Sequence, residues 1–152
     1  QKRVFSMIPG LEHAEFARYG VMHRNTFIDS PRLLDASWRM KMDDRIYFAG
    51  QITGVEGYME SAMSGLLAGK QIARRIQGKQ MLELPGDTMC GALIAYITTP
   101  NKDFQPMGAN MGILPRPESV TAIRDKRARY LALSEQAQAA MARWVEQQEV
   151  LS

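Results

Sequence analysis

Two periods of hydrophobic and polar residues organise the middle of this chain. Arg45-Ile-Tyr-Phe-Ala is a short apolar run of β-forming residues bounded upstream by Met42-Asp-Asp, the pattern of a strand in a parallel sheet. Beyond it the period becomes helical. Met59, Ala62, Met63, Leu66, Leu67, Ala73 and Ile76 share one face, Thr53 and Glu56 have the spacing of a capping box, and Gly78 stands where the helix should stop. Between strand and helix, Gly50 and Gln51 predict a tight turn. A second helical face is bare, with Gly57, Ser61, Gly65 and Gly69 one turn apart. Each glycine weakens a helix by about 1 kcal/mol, so the row predicts close approach of another backbone or a flat ligand. The N–H groups at the start of the helix would suit an anion or an electron-rich carbonyl. A strand, a turn and a helix are equally the ordinary parts of an α/β fold.

The flanking segments are read the same way. Alternation in Tyr19-Gly-Val-Met-His-Arg puts Tyr19, Val21 and His23 on one face of an extended segment and Met22 and Arg24 on the other. His23 therefore has aromatic and apolar neighbours, as a structural or a functional histidine would, whereas His13 falls in a polar turn. Ser30 and Pro31 mark a helix start, followed by Leu33, Leu34 and Trp38. Thr88 caps a second helix with Met89, Ala92, Leu93, Tyr96 and Ile97 inward, which stops before Pro100. Residues 100–118 are an apolar loop carrying Phe104, Met107, Met111, Ile113 and Leu114. Irregular backbone of that composition is expected to pack over a ligand or a neighbouring helix, with Gln105 and Asn110 supplying polar contacts. From about Ser119 one long helix is predicted, with Ile123, Tyr130, Leu131, Ala137, Met141, Trp144 and Val145 on its packed side. Arg124, Lys126, Arg127 and Arg129 form either a contact to an RNA phosphate backbone or a solvated face.

Composition narrows the classes. With 152 residues, 45% of them apolar, there is room for one domain with a core, not two. The chain starts at Gln1 without a signal-like segment and is expected to be a piece of a longer one. No apolar run reaches the ~20 residues of a membrane span. Cys90 is the single cysteine, which excludes an internal disulfide and fits a reducing, cytoplasmic setting; with no base near it, it reads as an inert thiol. A net charge of +3 permits a nucleic-acid partner without arguing for one. The 11 methionines read as adaptable core filler. There is no Cys/His set with metal spacing, no Ser/His/Asp arrangement and no GxGxxG, so any dinucleotide fingerprint lies outside this chain.

Three segments, in order and spacing, resemble the C-terminal part of the TrmFO family of bacterial folate- and FAD-dependent tRNA (uracil-5-)-methyltransferases. They are Tyr19-Gly-Val-Met-His-Arg-Asn-Thr, Phe48-Ala-Gly-Gln-Ile-Thr-Gly-Val-Glu-Gly-Tyr and Phe104-Gln-Pro-Met-Gly-Ala-Asn-Met-Gly-Ile-Leu-Pro. The resemblance runs from Gln1 to the last helix. It implies an α/β fold, the C-terminal part of a glutathione-reductase-like, Rossmann-type FAD-binding domain that is incomplete without its N-terminal half. Residues 1–30 would be the segment returning from an inserted domain, and residues 31–152 the C-terminal portion of the FAD domain. Gly50, Gln51, Gly54, Val55, Glu56, Gly57 and Tyr58 would lie beside the flavin, and His23 would stack on the folate pterin. The implied reaction moves the one-carbon unit of methylenetetrahydrofolate to C5 of the T-loop uridine of tRNA, with FAD as redox cofactor and NAD(P)H as reductant. The cysteines that attack the uracil should lie upstream of Gln1, so this chain would contain no catalytic residue and be inactive alone. The implied partners are tRNA and the N-terminal part of the same protein, with no metal and no membrane. Two other readings remain: a GidA/MnmG-like flavoprotein of tRNA wobble modification, which shares the Phe48–Tyr58 core, and a noncatalytic RNA-binding module using the Arg124–Arg129 face.

Overall fold

The computed structural model describes residues 2–16 and 25–147; Tyr19 to Arg24, with His23, lie outside the described residues. Its elements are α1 (Lys2–Phe5), α2 (Ser30–Leu33), β1 (Val55–Glu56), α3 (Tyr58–Ile76), α4 (Met89–Thr98), β2 (Met107–Gly108), α5 (Glu118–Thr121) and α6 (Lys126–Gln147). Helices and a short parallel sheet make this a mixed α/β arrangement, in which β1 and β2 pair with Val55 opposite Met107 and Glu56 opposite Gly108. No described helix is long and apolar enough to cross a membrane.

The run Arg45–Ala49 does not form the expected strand of a parallel sheet: Arg45 lies in a turn, and the run is held by antiparallel contacts to the segment before it. Leu34 bridges Met40, Arg39 bridges Tyr47, and the Phe48 N–H donates to Trp38 O at 3.0 Å. The reversal has a local cause. The Asp35 carboxylate accepts from the Ser37 N–H at 2.9 Å and from Arg39 Nε at 2.9 Å, folding Asp35 to Arg39 into a turn that sends the chain back alongside itself. Burial pushes the Asp35 carboxyl up, yet the hydrogen bonds from Ser37 and Arg39 together hold it below its ordinary range. Trp38 adopts a φ of +67° in this turn, and its ring is buried in the main core.

That core joins Trp38, Val55, Leu67, Ala68, Leu93, Ile94, Ile97 and Phe104. A second cluster, of Ala92, Leu114, Val120 and Leu133, lies on the other side of α4. α4 is therefore the helix that both cores share. It starts as predicted: Thr88 Oγ1 accepts the Gly91 N–H at 3.0 Å and donates to Pro85 O at 2.7 Å. The apolar loop packs inward through Phe104 and Leu114, while Asn110 satisfies the loop's own backbone by donating to Gly108 O at 2.9 Å and accepting the Gly112 N–H at 2.8 Å. Gln105 contributes its carbonyl, which accepts from the Tyr96 hydroxyl at 3.0 Å.

Two helical expectations are corrected. α3 begins at Tyr58 with Gly57 at its N-cap, so Thr53 and Glu56 form no capping box. Glu56 is held extended by β2, and Thr53 instead donates its hydroxyl to Gly50 O at 2.7 Å. The inward face of α3 is Ser64, Leu67, Ala68 and Gln71, leaving Met59, Leu66 and Ile76 exposed. Two polar side chains belong in this buried row because each meets backbone: Gln71 donates to Leu82 O at 2.7 Å and accepts the Leu82 N–H at 2.8 Å. The predicted last helix is two helices. Asp125 interrupts it, its carboxylate accepting the Ala128 N–H at 2.7 Å as the cap of α6. α6 then buries Leu133, Ala140 and Trp144, with Leu131 and Val145 left exposed.

Candidate functional site

The glycine turn forms an exposed ledge at the start of α3. Gly50, with φ +75°, turns the chain out of the extended run and is pinned by its N–H to Ser64 Oγ at 2.7 Å. A 3₁₀ turn, Gln51–Thr53, follows and closes with the Gly54 N–H on Gln51 O at 2.9 Å. Gly54, at φ +86°, redirects the chain into β1, where Val55 is fully buried. Glu56, Gly57 and Tyr58 then surface again, Tyr58 to 97% of its area. The residues expected beside a ligand thus divide into two roles. Gly54 and Val55 anchor the turn in the core, while Gln51, Glu56, Gly57 and Tyr58 are accessible.

Non-local contacts hold the ledge from three sides. The Ile28 N–H donates to Ile52 O at 2.9 Å and Ser30 Oγ to Thr53 O at 2.7 Å, which ties the segment following residue 24 to the turn. Phe104 lies against Gly54, its Cζ 2.5 Å from where a β-carbon would stand. The Met107 N–H donates to Gly54 O at 2.9 Å. The Phe48–Tyr58 and Phe104–Pro115 motifs, about fifty residues apart in sequence, are therefore joined by a parallel pairing and a ring contact. Glu60, in the first turn of α3, strengthens the joint by accepting the Ala109 N–H at 3.1 Å and placing its carboxylate over Gly57. Glu60 and Ser64 were not picked out by pattern, because each is an ordinary polar residue whose partner is distant in sequence, and Ser30, expected as a helix cap, instead donates its hydroxyl to Thr53 O while Asp29 stands at the N-cap of α2.

The remaining candidates lie elsewhere. His23 is outside the described residues, and His13 is exposed. Arg124, Lys126 and Arg127 are exposed at the start of α6; Lys126 sits 5.5 Å from the centre of the Tyr130 ring, and Arg129 donates to Ile123 O at 3.0 Å. Cys90 is half-buried in the first turn of α4. Burial, and secondarily the negative charge of Glu60, push its thiol above the ordinary range. A thiol so shifted is protonated at neutral pH and a poor nucleophile. Alkylation of Cys90 at pH 7 is accordingly expected to run slower than that of a free thiol; alkylation at the rate of a free thiol would contradict this.

Comparison with known proteins places the chain among its relatives. Residues 1–80 match the family model of glucose inhibited division protein A. Among curated relatives, the methylenetetrahydrofolate–tRNA-(uracil-5-)-methyltransferase TrmFO of Caldicellulosiruptor bescii is 56% identical over 135 residues, which is 89% of this chain and 31% of the relative. The TrmFO of Brevibacillus brevis is 56% identical over 138 residues, 90% of this chain and 31% of the relative. That of Heliobacterium modesticaldum is 53% identical over 146 residues, 95% of this chain and 33% of the relative. The chain thus spans about a third of the length of the relatives it matches. With over half of its residues inside that family model, the chain belongs to the glucose inhibited division protein A family, and the sequence it shares with the TrmFO proteins covers a third of their length.

Proposed function

We propose that this chain is the C-terminal part of a flavin- and folate-dependent enzyme that methylates C5 of the T-loop uridine of tRNA. The observation that carries the reading is the joint between the two glycine-containing motifs. The two segments that resemble the TrmFO family converge on one exposed ledge, Gly50 to Tyr58, which the rest of the chain braces. Within this reading, residues 31–152 complete a glutathione-reductase-like FAD domain, and residues 1–30 return from an inserted one. FAD fits the ledge. Apart from its two chain neighbours, nothing lies within 4 Å of where a β-carbon of Gly50 would stand, so a flat ring has room to approach that backbone. The N–H groups of Tyr58, Met59 and Glu60 precede the first helical hydrogen bond, from the Ser61 N–H to Gly57 O at 3.0 Å, and suit the carbonyl edge of a pyrimidine.

FAD, when bound and reduced by NAD(P)H, supplies reducing equivalents for methyl transfer from methylenetetrahydrofolate. The task of this chain is positional. Gly50 and Gln51 would lie along the ring, the start of α3 would favour negative charge at its edge, and His23 would stack on the pterin. Arg124, Lys126 and Arg127 would contribute diffuse attraction for tRNA. The nucleophilic cysteines are assigned to the part of the protein upstream of Gln1, in keeping with the protonated state of Cys90.

The family also bears on a second reading, modification of the wobble uridine, since the match over residues 1–80 is to glucose inhibited division protein A. Mapping the modified nucleotide separates the two. The complete gene product is expected to be yellow with bound flavin and to alter the T-loop uridine, and His23→Ala is expected to lower methylation at least tenfold through folate affinity while flavin stays bound. Modification confined to the wobble position, or a His23→Ala protein with unchanged folate dependence, would overturn these assignments.

A further inference from the structure

A cleft of about 590 Å³ opens between the segment entering the ledge and the start of the apolar loop, lined by Asp29, Pro31, Arg32, Lys41, Pro100, Asn101 and Lys102. Three of its seven lining residues are cations, and one is an anion. Asp29 lies 3.4 Å from Arg32 Nε and offsets one of the three charges, which leaves the cleft net positive; because both side chains are well exposed the pair is weak and Arg32 can exchange it for a phosphate. Lys41 is fixed by donating to Pro31 O at 2.9 Å, and Arg32 and Lys102 are exposed.

The cations come from three separate stretches of chain, which the fold brings to one opening. Both walls are also attached to the ledge. The Asp29–Arg32 wall follows Ile28 and leads from Ser30, which bond to Ile52 and Thr53, while the Pro100–Lys102 wall leads to Phe104, which lies on Gly54. No aromatic ring lines the cleft, so it lacks a stacking platform for a base or pterin. Its cations sit in water rather than in a desolvated pocket, the arrangement that attracts phosphates as a strip of charge and reads no sequence.

We infer that the Arg32–Lys41–Lys102 cleft binds the phosphate backbone of the substrate RNA and guides the strand toward the ledge. The inference rests on the proposed tRNA substrate and adds the surface that holds it. Two backbone phosphates, bridged by Arg32 and Lys102 across the opening, are the expected contacts, with Lys41 between them in sequence and anchored to the wall.

The test uses the complete gene product and a tRNA T-arm hairpin, with binding measured by fluorescence anisotropy from 50 to 300 mM salt, roughly the range over which counterion release is resolved. Arg32→Ala/Lys102→Ala is expected to weaken binding about tenfold near 0.1 M salt and to flatten the log–log salt slope by about 1.5, because each phosphate contact contributes about 0.7–0.9 to it. Flavin content, melting temperature and KM for the folate donor should stay at the parent values, which excludes misfolding. Lys102→Glu alone should weaken binding in the same direction. Unchanged affinity and slope in both variants would overturn the inference. So would unchanged RNA binding with a raised KM for the folate donor, which would reassign the cleft to the anionic tail of the small substrate. Absence of salt-dependent RNA binding by the parent protein would instead remove the RNA substrate itself, and the inference with it.

Discussion

Gly54→Ala is expected to destabilise the protein by about 2–5 kcal/mol and to empty it of flavin. Two independent costs add. At φ +86° a β-carbon strains the backbone by about 1–2 kcal/mol. The same carbon would stand 2.5 Å from Cζ and 2.9 Å from Cε1 of Phe104. That ring has little room to retreat: it is buried, edge-on to Phe27 at 5.8 Å and against Tyr96 at 6.0 Å. Overpacking of this kind adds about 1–3 kcal/mol. Gly78→Ala is the comparison. Gly78 has φ +67° but open space around it, so alanine there should cost only the backbone term and leave flavin content unchanged. Urea unfolding followed by tryptophan fluorescence, with the flavin absorbance read on the same samples, checks both. Equal effects of the two substitutions would contradict the role given to Phe104.

The second large effect is expected at Gly91, in the first turn of α4. Its φ is unremarkable, yet an alanine β-carbon would collide with Pro85 O, at 2.7 Å from Pro85 C and 3.0 Å from Thr88 Oγ1. Both the backbone carbonyl and the capping hydroxyl are fixed by hydrogen bonds to one another. Relief requires the start of α4 to move, losing a cap of about 0.5–2 kcal/mol and disturbing packing by about 1–3 kcal/mol more. Because Leu93, Ile94 and Ile97 on this helix belong to the main core and Ala92 to the second, the loss should appear as a lowered urea midpoint for the whole described fold. An unchanged midpoint would show that the Pro85 turn yields freely.

What could be read in advance divides by the range of the interactions. α4 was legible from end to end because its cap, Thr88, and its stop before Pro100 are local signals. The apolar loop was legible as a packed segment because Phe104 and Leu114 are too apolar to be left in water. The start of α3 was not, since Thr53 and Glu56 carry a valid capping spacing. The competing pairing of Glu56 with Gly108 comes from a segment far along the chain. The inward face of α3 failed for a similar reason. The helix has two apolar arcs, and burial of Ser64 and Gln71 is favourable only because Gly50 and Leu82 meet them. Gly65 and Gly69, expected at a close approach, have nothing within 4 Å of an added β-carbon in this chain. The break between α5 and α6 had a local signal, Asp125, which the run of basic residues around it obscured. For the site, the Gly50–Tyr58 turn was recognisable in sequence, but its bracing by Ser30, Ser64 and Phe104 was not, because those contacts are made only in the folded chain.

The most direct test of the account is methyl transfer by the complete gene product to the T-loop uridine of tRNA, with the label carried in turn by methylenetetrahydrofolate and by S-adenosylmethionine. Label is expected on C5 of that uridine from the folate donor alone, and none when the 152-residue chain replaces the complete protein. Transfer from S-adenosylmethionine, or from neither donor by a protein that retains its flavin, would contradict it.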